Sequence, residues 1–169
     1  MDKDFLFYID QALSNSYKVN TRKILQEDKI SGRQSIKYIS HGRQLVYSFD
    51  VNKKGVPPIF PMFKNVTGLK EVSDYVLFTT RASDSKPFIL IFELKKSKLP
   101  KSQLLATEQF CRFLISRINS VFPVKFKPEI RMIGLVENMK TCTRIDKIEY
   151  FENILYTPLR VLDIGKLLK

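Results

Sequence analysis

The sequence predicts an α/β domain with a mixed central β-sheet flanked by helices. Three observations predict it. Two apolar, β-favouring runs, VSDYVLFTT from Val72 to Thr80 and FILIFEL from Phe88 to Leu94, stand on either side of the turn-rich RASDSKP. The second is almost continuously apolar, as a strand covered on both faces should be. After it, Leu104, Leu105, Phe110, Cys111, Leu114, Ile115 and Ile118 keep the 3.6-residue period of an amphipathic helix. A third run, IRMIGLV from Ile130 to Val136, then supplies another buried strand, so strands pair across a long helix.

The remaining elements follow in order. Residues 2–14 predict a helix capped by Asp2, with Phe5, Ile9 and Leu13 on one face. Residues 22–28 predict a further turn or two of helix. From Gln34 to Phe49 the period changes to two: Ile36 and Tyr38, then Leu45, Tyr47 and Phe49, with His41-Gly42 between, predict a hairpin. Val51 to Gly68 contains Gly55, Pro57, Pro58, Pro61 and Gly68 and predicts an irregular connection. Pro100 and Ser102 open the long helix, which runs to about Val121 and is stopped by Pro123. The last 25 residues combine a strand, ILYTPLRVL, with a short terminal helix. No repeat, low-complexity tract or linker divides the chain, so one domain covers residues 1–169.

Composition narrows the chemistry. Hydrophobic residues make up 44% of the chain, including thirteen Phe and seven Tyr, enough for a dense core. Two cysteines make no disulfide framework. The opening MDKDFLFYIDQAL is interrupted by Asp4 and Asp10 and does not read as a signal peptide, and no run approaches a membrane span. The expected location is the cytoplasm, with no membrane partner.

The net charge of +12 implies an anionic partner, and nucleic acid is the usual one. The charge is clustered. Nine bases stand against three acids between Lys18 and Lys54, half of the net charge in about a fifth of the chain. Arg33 and Arg43 are the candidate backbone-gripping residues of that cluster. Lys95, Lys96, Lys98 and Lys101 form a second cluster, and Lys96, Lys98 and Lys101 are its candidates for the same role. The competing explanation is solubility, or an acidic protein partner.

A single histidine, His41, excludes a two-His zinc site, a His acid–base pair and an HNH-type nuclease. It most simply occupies a turn. No phosphate-binding loop or dinucleotide fingerprint is present. Cys111 falls on the apolar face of the long helix and is expected in the core, and Cys142 in a loop. The run IFPMF (59–63) either stacks bases or packs under a loop. Carboxylates and lysines remain for chemistry.

These occur at a telling place. Glu93 and Lys95 are two apart in one strand, so they project from the same face. A carboxylate and an ammonium end a run where Ile or Val would be favoured, and burying charge is costly unless it is paired or bound to metal. If the 72–80 and 88–95 strands are antiparallel neighbours, Asp74 meets Glu93. Two adjacent carboxylates repel, a divalent cation relieves the repulsion, and oxygen ligands favour Mg²⁺ or Mn²⁺. The bland alternative is a solvated strand end with Asp74 in a turn.

Ser73-Asp74, eighteen residues, then Glu93-Leu94-Lys95, after a helix and a hairpin and before a long helix, resembles the PD-(D/E)xK nuclease superfamily. Ser73 stands where that family usually has Pro. The resemblance implies a restriction-endonuclease-like fold and a metal-dependent nuclease that hydrolyses phosphodiester bonds, with DNA ahead of RNA. It implies a metal held by Asp74 and Glu93 with help from the Leu94 carbonyl. Lys95 would position the attacking water or stabilise charge on the phosphate. Gln103 matches an accessory Gln that some members carry early in the following helix. Others carry an acidic residue on the first helix, for which Asp10 and Glu27 are both candidates. Many members act as homodimers. Two other classes stay open: a nuclease-like domain without activity that binds nucleic acid or a larger protein partner, and an interaction domain that turns its basic face to an acidic partner.

Overall fold

The computed structural model describes residues 4–20, 24–29, 32–40, 42–49, 60–64, 66, 70–95, 101–136, 149–151, 154–157 and 161–169. For 24–29, 32–36, 95, 136, 149–151, 154–157 and 161 the description is of the backbone alone. The mixed α/β architecture, a mixed sheet flanked by helices, is present as expected.

Helix α1 spans Phe5–Ala12. Its cap is Asp4 rather than Asp2: the Asp4 carboxylate accepts from the Phe7 N–H at 2.9 Å, which satisfies one of the orphan donors of the first turn and is worth about 1 kcal/mol. Phe5, Leu6, Tyr8 and Ile9 are buried. Strand β1, Ile24–Lys29, occupies the segment expected to be helical. It pairs antiparallel with β2, Gly32–Ile39, from Ile24↔Lys37 to Lys29↔Gly32. A close partner on the other side of residues 30 and 31 decides the conformation here, overriding weak local propensity.

Strand β3, Gln44–Tyr47, was expected to pair with β2 and does not. The two strands lie in different sheets, linked by the Gln44 side-chain amide donating to the Tyr38 hydroxyl at 2.7 Å. Alternation was legible there; the partner of each strand was not. His41, Cys142 and residues 51–59 lie outside the described residues.

The larger sheet has six strands in the order β3-β4-β5-β6-β8-β7. Strand β4 is Tyr75–Thr80 and β5 is Pro87–Lys95, antiparallel from Tyr75↔Phe92 to Thr80↔Pro87. Their turn closes through Ser85, whose φ of 57° lies in the left-handed region. Helix α2, Lys101–Val121, carries the chain to β6, Glu129–Val136, which runs parallel to β5. Strands β7, Glu149–Phe151, and β8, Ile154–Thr157, complete the sheet, β8 being parallel to β6. The strand expected over 154–162 is two strands. Pro158 brings no N–H to a ladder, and beyond it β9, Val161–Asp163, pairs with β2 in the smaller β1-β2-β9 sheet. Helix α3, Ile164–Leu167, follows, capped by Asp163.

The core has two faces. On one, Tyr47, Val76, Phe78, Ile89, Ile91 and Met132 lie under α1 and α2. Cys111 is buried there, as expected, and burial pushes its thiol pKa up. On the other, Leu77, Phe88, Leu90, Phe92, Leu94 and Ile133 meet Tyr38, Leu162, Ile164, Leu167 and Leu168. That second cover is α3 together with the small sheet, so helices flank the large sheet as expected and the small sheet is an addition to them. Residues 88–94 of β5 are buried on both faces, which explains the unbroken apolar run and makes Glu93 its one exception. Among the described residues no helix is long and apolar enough to cross a membrane.

Candidate metal centre

Asp74 stands one residue before β4, and Glu93 is the third residue from the end of β5. The antiparallel register that pairs Tyr75 with Phe92 therefore brings Asp74 beside Glu93. Each carboxylate accepts from the opposite backbone. The Asp74 N–H donates to Glu93 Oε2 at 3.2 Å, and the Leu94 N–H donates to Asp74 Oδ2 at 2.6 Å. Asp74 is 9% exposed and Glu93 0%. Such bonds to charged acceptors offset part of the cost of taking two carboxylates out of water. Alternation along β5 sets Glu93 on the face of Ile89 and Ile91, under α2.

Helix α2 reaches this pair through Thr107. The Ser73 N–H, with no ladder partner ahead of β4, donates to the Thr107 hydroxyl at 2.7 Å. That hydroxyl donates in turn to the Gln103 carbonyl at 2.8 Å. Thr107 is 0% exposed. The sequence reading missed it. Its signal was a hydroxyl on the apolar stripe between Leu104 and Cys111, where a buried polar group needs a partner. Gln103, the candidate accessory residue, is half-buried in the first turn of the helix.

The other candidates are placed as follows. Lys95 ends β5 opposite Val136, and its side chain lies outside the described residues. Lys96 and Lys98 also lie outside them. Lys101 is the exposed first residue of α2. Arg33 is in β2 opposite Asp28, with only its backbone described. Arg43 is exposed and its guanidinium is ion-paired to Asp4 at 2.8 Å. Its carbonyl accepts from the Thr79 hydroxyl, five strand residues from Asp74 or about 16 Å by strand rise, so it belongs to the opposite end of the sheet.

Of the two helix-acid candidates, Glu27 is in strand β1, opposite Gln34, rather than on a helix. Asp10 is on α1, where it accepts from Lys18 at 2.6 Å and from the Tyr47 hydroxyl at 3.3 Å. The Lys18 hydrogen bond holds the Asp10 carboxyl below the usual carboxylate range, while burial and the nearby Asp10 charge push the Tyr47 phenol up. Among the described residues no three His, Cys, Asp or Glu side chains gather as a metal-binding group, so Asp10 does not join Asp74 and Glu93. The IFPMF run divides: Phe60 packs against the edge of Phe110, whereas Met62 is 72% exposed.

The donor chemistry fits a hard divalent ion. Mg²⁺ commonly uses one or two carboxylates and keeps several waters, and two adjacent carboxylates are what this site offers. No family model, curated protein or solved structure matches the chain.

Proposed function

We propose that this protein is a metal-dependent nuclease, a phosphodiester hydrolase using Mg²⁺ or Mn²⁺ and acting on DNA ahead of RNA. The observation that carries the reading is the side-by-side burial of Asp74 and Glu93 at the end of the buried β4–β5 strand pair. Burying two neighbouring carboxyl groups at a strand end is costly, and a bound cation offsets that cost. Asp74 and Glu93 would hold the ion, which when bound supplies Lewis-acid stabilisation of charge building on a phosphate. Lys95, two residues beyond Glu93, adds a cation for the same phosphate or orients water against it. The basic residues of 18–54, with Lys96, Lys98 and Lys101, bind the nucleic-acid backbone. The resemblance of Asp74, Glu93-Leu94-Lys95 and the following helix to the PD-(D/E)xK superfamily supports the same reading, including its restriction-endonuclease-like fold and its dimeric members.

A second reading has its own observation. Only two acidic groups converge among the described residues, and both carboxylates already accept backbone N–H groups. A nuclease-like domain that binds nucleic acid or a larger protein without cutting would show the same arrangement. Incubation with mixed DNA and RNA substrates, with and without Mn²⁺, separates the two. The nuclease reading expects Mn²⁺-dependent cleavage that is lost in Glu93→Gln and in Lys95→Ala, with Lys95→Ala keeping its affinity and salt dependence. Binding without cleavage in the wild type transfers the conclusion to the second reading.

A further inference from the structure

We infer that Thr107 is a positioning residue for the carboxylate pair, acting through the Ser73–Asp74 peptide rather than by touching metal or substrate. The inference rests on the metal-centre reading above. Asp74 precedes the first ladder pair of β4, so the sheet alone does not fix its backbone. Among the described residues, three hydrogen bonds hold it and its carboxylate. Thr107 Oγ1 takes the Ser73 N–H, Glu93 takes the Asp74 N–H, and the Asp74 carboxylate takes the Leu94 N–H. Of these, the first is made by helix α2. The Thr107 hydroxyl is also oriented, because its proton is directed at the Gln103 carbonyl and its lone pair is left for Ser73. Both partners are buried, with Ser73 and Thr107 at 0% exposure, so water does not replace the bond when it is removed.

This bond couples the site to the helix start that carries Lys101 and Gln103. Groups that orient metal-binding carboxylates through hydrogen bonds contribute to affinity without contacting the ion. A Thr needed only for packing would be replaceable by Val, which matches its shape; a Thr needed for its hydroxyl would be replaceable by Ser.

The test is isothermal calorimetry of Mn²⁺ alone on the full chain, comparing wild type, Thr107→Val, Thr107→Ala and Thr107→Ser, each first shown to be folded by circular dichroism without metal. Expected is a loss of Mn²⁺ affinity of about 10-fold or more in Val and Ala, the usual range for such partners, with Ser close to wild type. The second deletion, Ala, keeps the comparison available if Val does not fold. Equal Mn²⁺ affinity in wild type and either hydroxyl-free variant overturns the positioning role and leaves the metal reading standing. Equal weakening in Ser and Val overturns it too, by tracing the effect to packing. Absence of Mn²⁺ binding in the wild type overturns the metal reading, and the positioning role with it.

Discussion

The two ends of the β4–β5 pair handle charge in opposite ways. At the Asp74–Glu93 end, two carboxyl groups are taken out of water and accept backbone N–H groups. At the turn end, opposite charges stay near the surface and are matched: Arg81 with Asp84, Lys86 with Glu129, and Arg131 with Glu129. All three cations there also lie within 5.2–5.6 Å of the Phe88 ring centroid. Arg81 donates to the Leu168 carbonyl, and Arg131 to the carbonyls of Leu167 and Lys169. The turn end is thus a clamp that caps α3 and ties it to the large sheet. Matched surface charge of this kind adds modest stability, whereas a buried carboxyl group is costly unless hydrogen bonds and neighbouring groups compensate it, so the two ends depend on different kinds of partner.

The largest expected effect sharpens that contrast. At a concentration 100 times its Kd, Mn²⁺ should raise wild-type unfolding free energy by about 2.7 kcal/mol. Glu93→Gln should show no rise, and Arg131→Ala should show the wild-type rise. Urea titrations of the three proteins with and without Mn²⁺ check this; an equal rise in Glu93→Gln would move the ion elsewhere.

Next in size, Arg131→Ala should lower metal-free stability by about 1–3 kcal/mol, because carbonyls at the end of α3 lose a charged donor. Glu129→Gln should lose less. The same titrations without metal measure both, and a change in Mn²⁺ affinity in either variant would break the separation of the two ends.

The smallest effect concerns acid. The Arg81 hydrogen bond, with help from the Lys86 N–H, holds the Asp84 carboxyl down at about 2, and Glu129 is held below the usual range by Lys86 and Arg131. With folded pKa values depressed, the stabilisation is present above the ordinary carboxylate range. It is lost as pH falls through the folded values, about 2 for Asp84. Stability followed from pH 5 to pH 2 should therefore decline less steeply in Asp84→Asn than in the wild type. Identical slopes would mean that this pair contributes nothing to the clamp.

The same division explains what the sequence made legible. Strands β4, β5 and β6 and helix α2 follow from strong local periodicity, and the meeting of Asp74 with Glu93 follows from two adjacent strands joined by a short turn. By contrast, β1 is a strand where the local sequence predicts helix, and β2 does not pair with β3 as alternation predicts, because the β1–β2 hairpin and the distant β9 decide those strands' places. The backbone role of Thr107 depends on what α2 faces after folding, which its own helical spacing does not reveal. The cap of α1 moved from Asp2 to Asp4 for a plainer reason: either carboxylate can cap, and the one whose oxygen meets the Phe7 N–H does so.

The parallel pairing of β2 with β9 also sets an order of assembly. Lys37 must find Val161 across most of the chain, whereas β4 and β5 are joined by a single short turn. Loop-closure entropy weighs against the distant pair until nearer contacts have shortened the effective separation. The sheet that covers Phe92 and Leu94 is therefore the late piece, and until it closes, one side of the strand carrying Glu93 is bare hydrocarbon facing water.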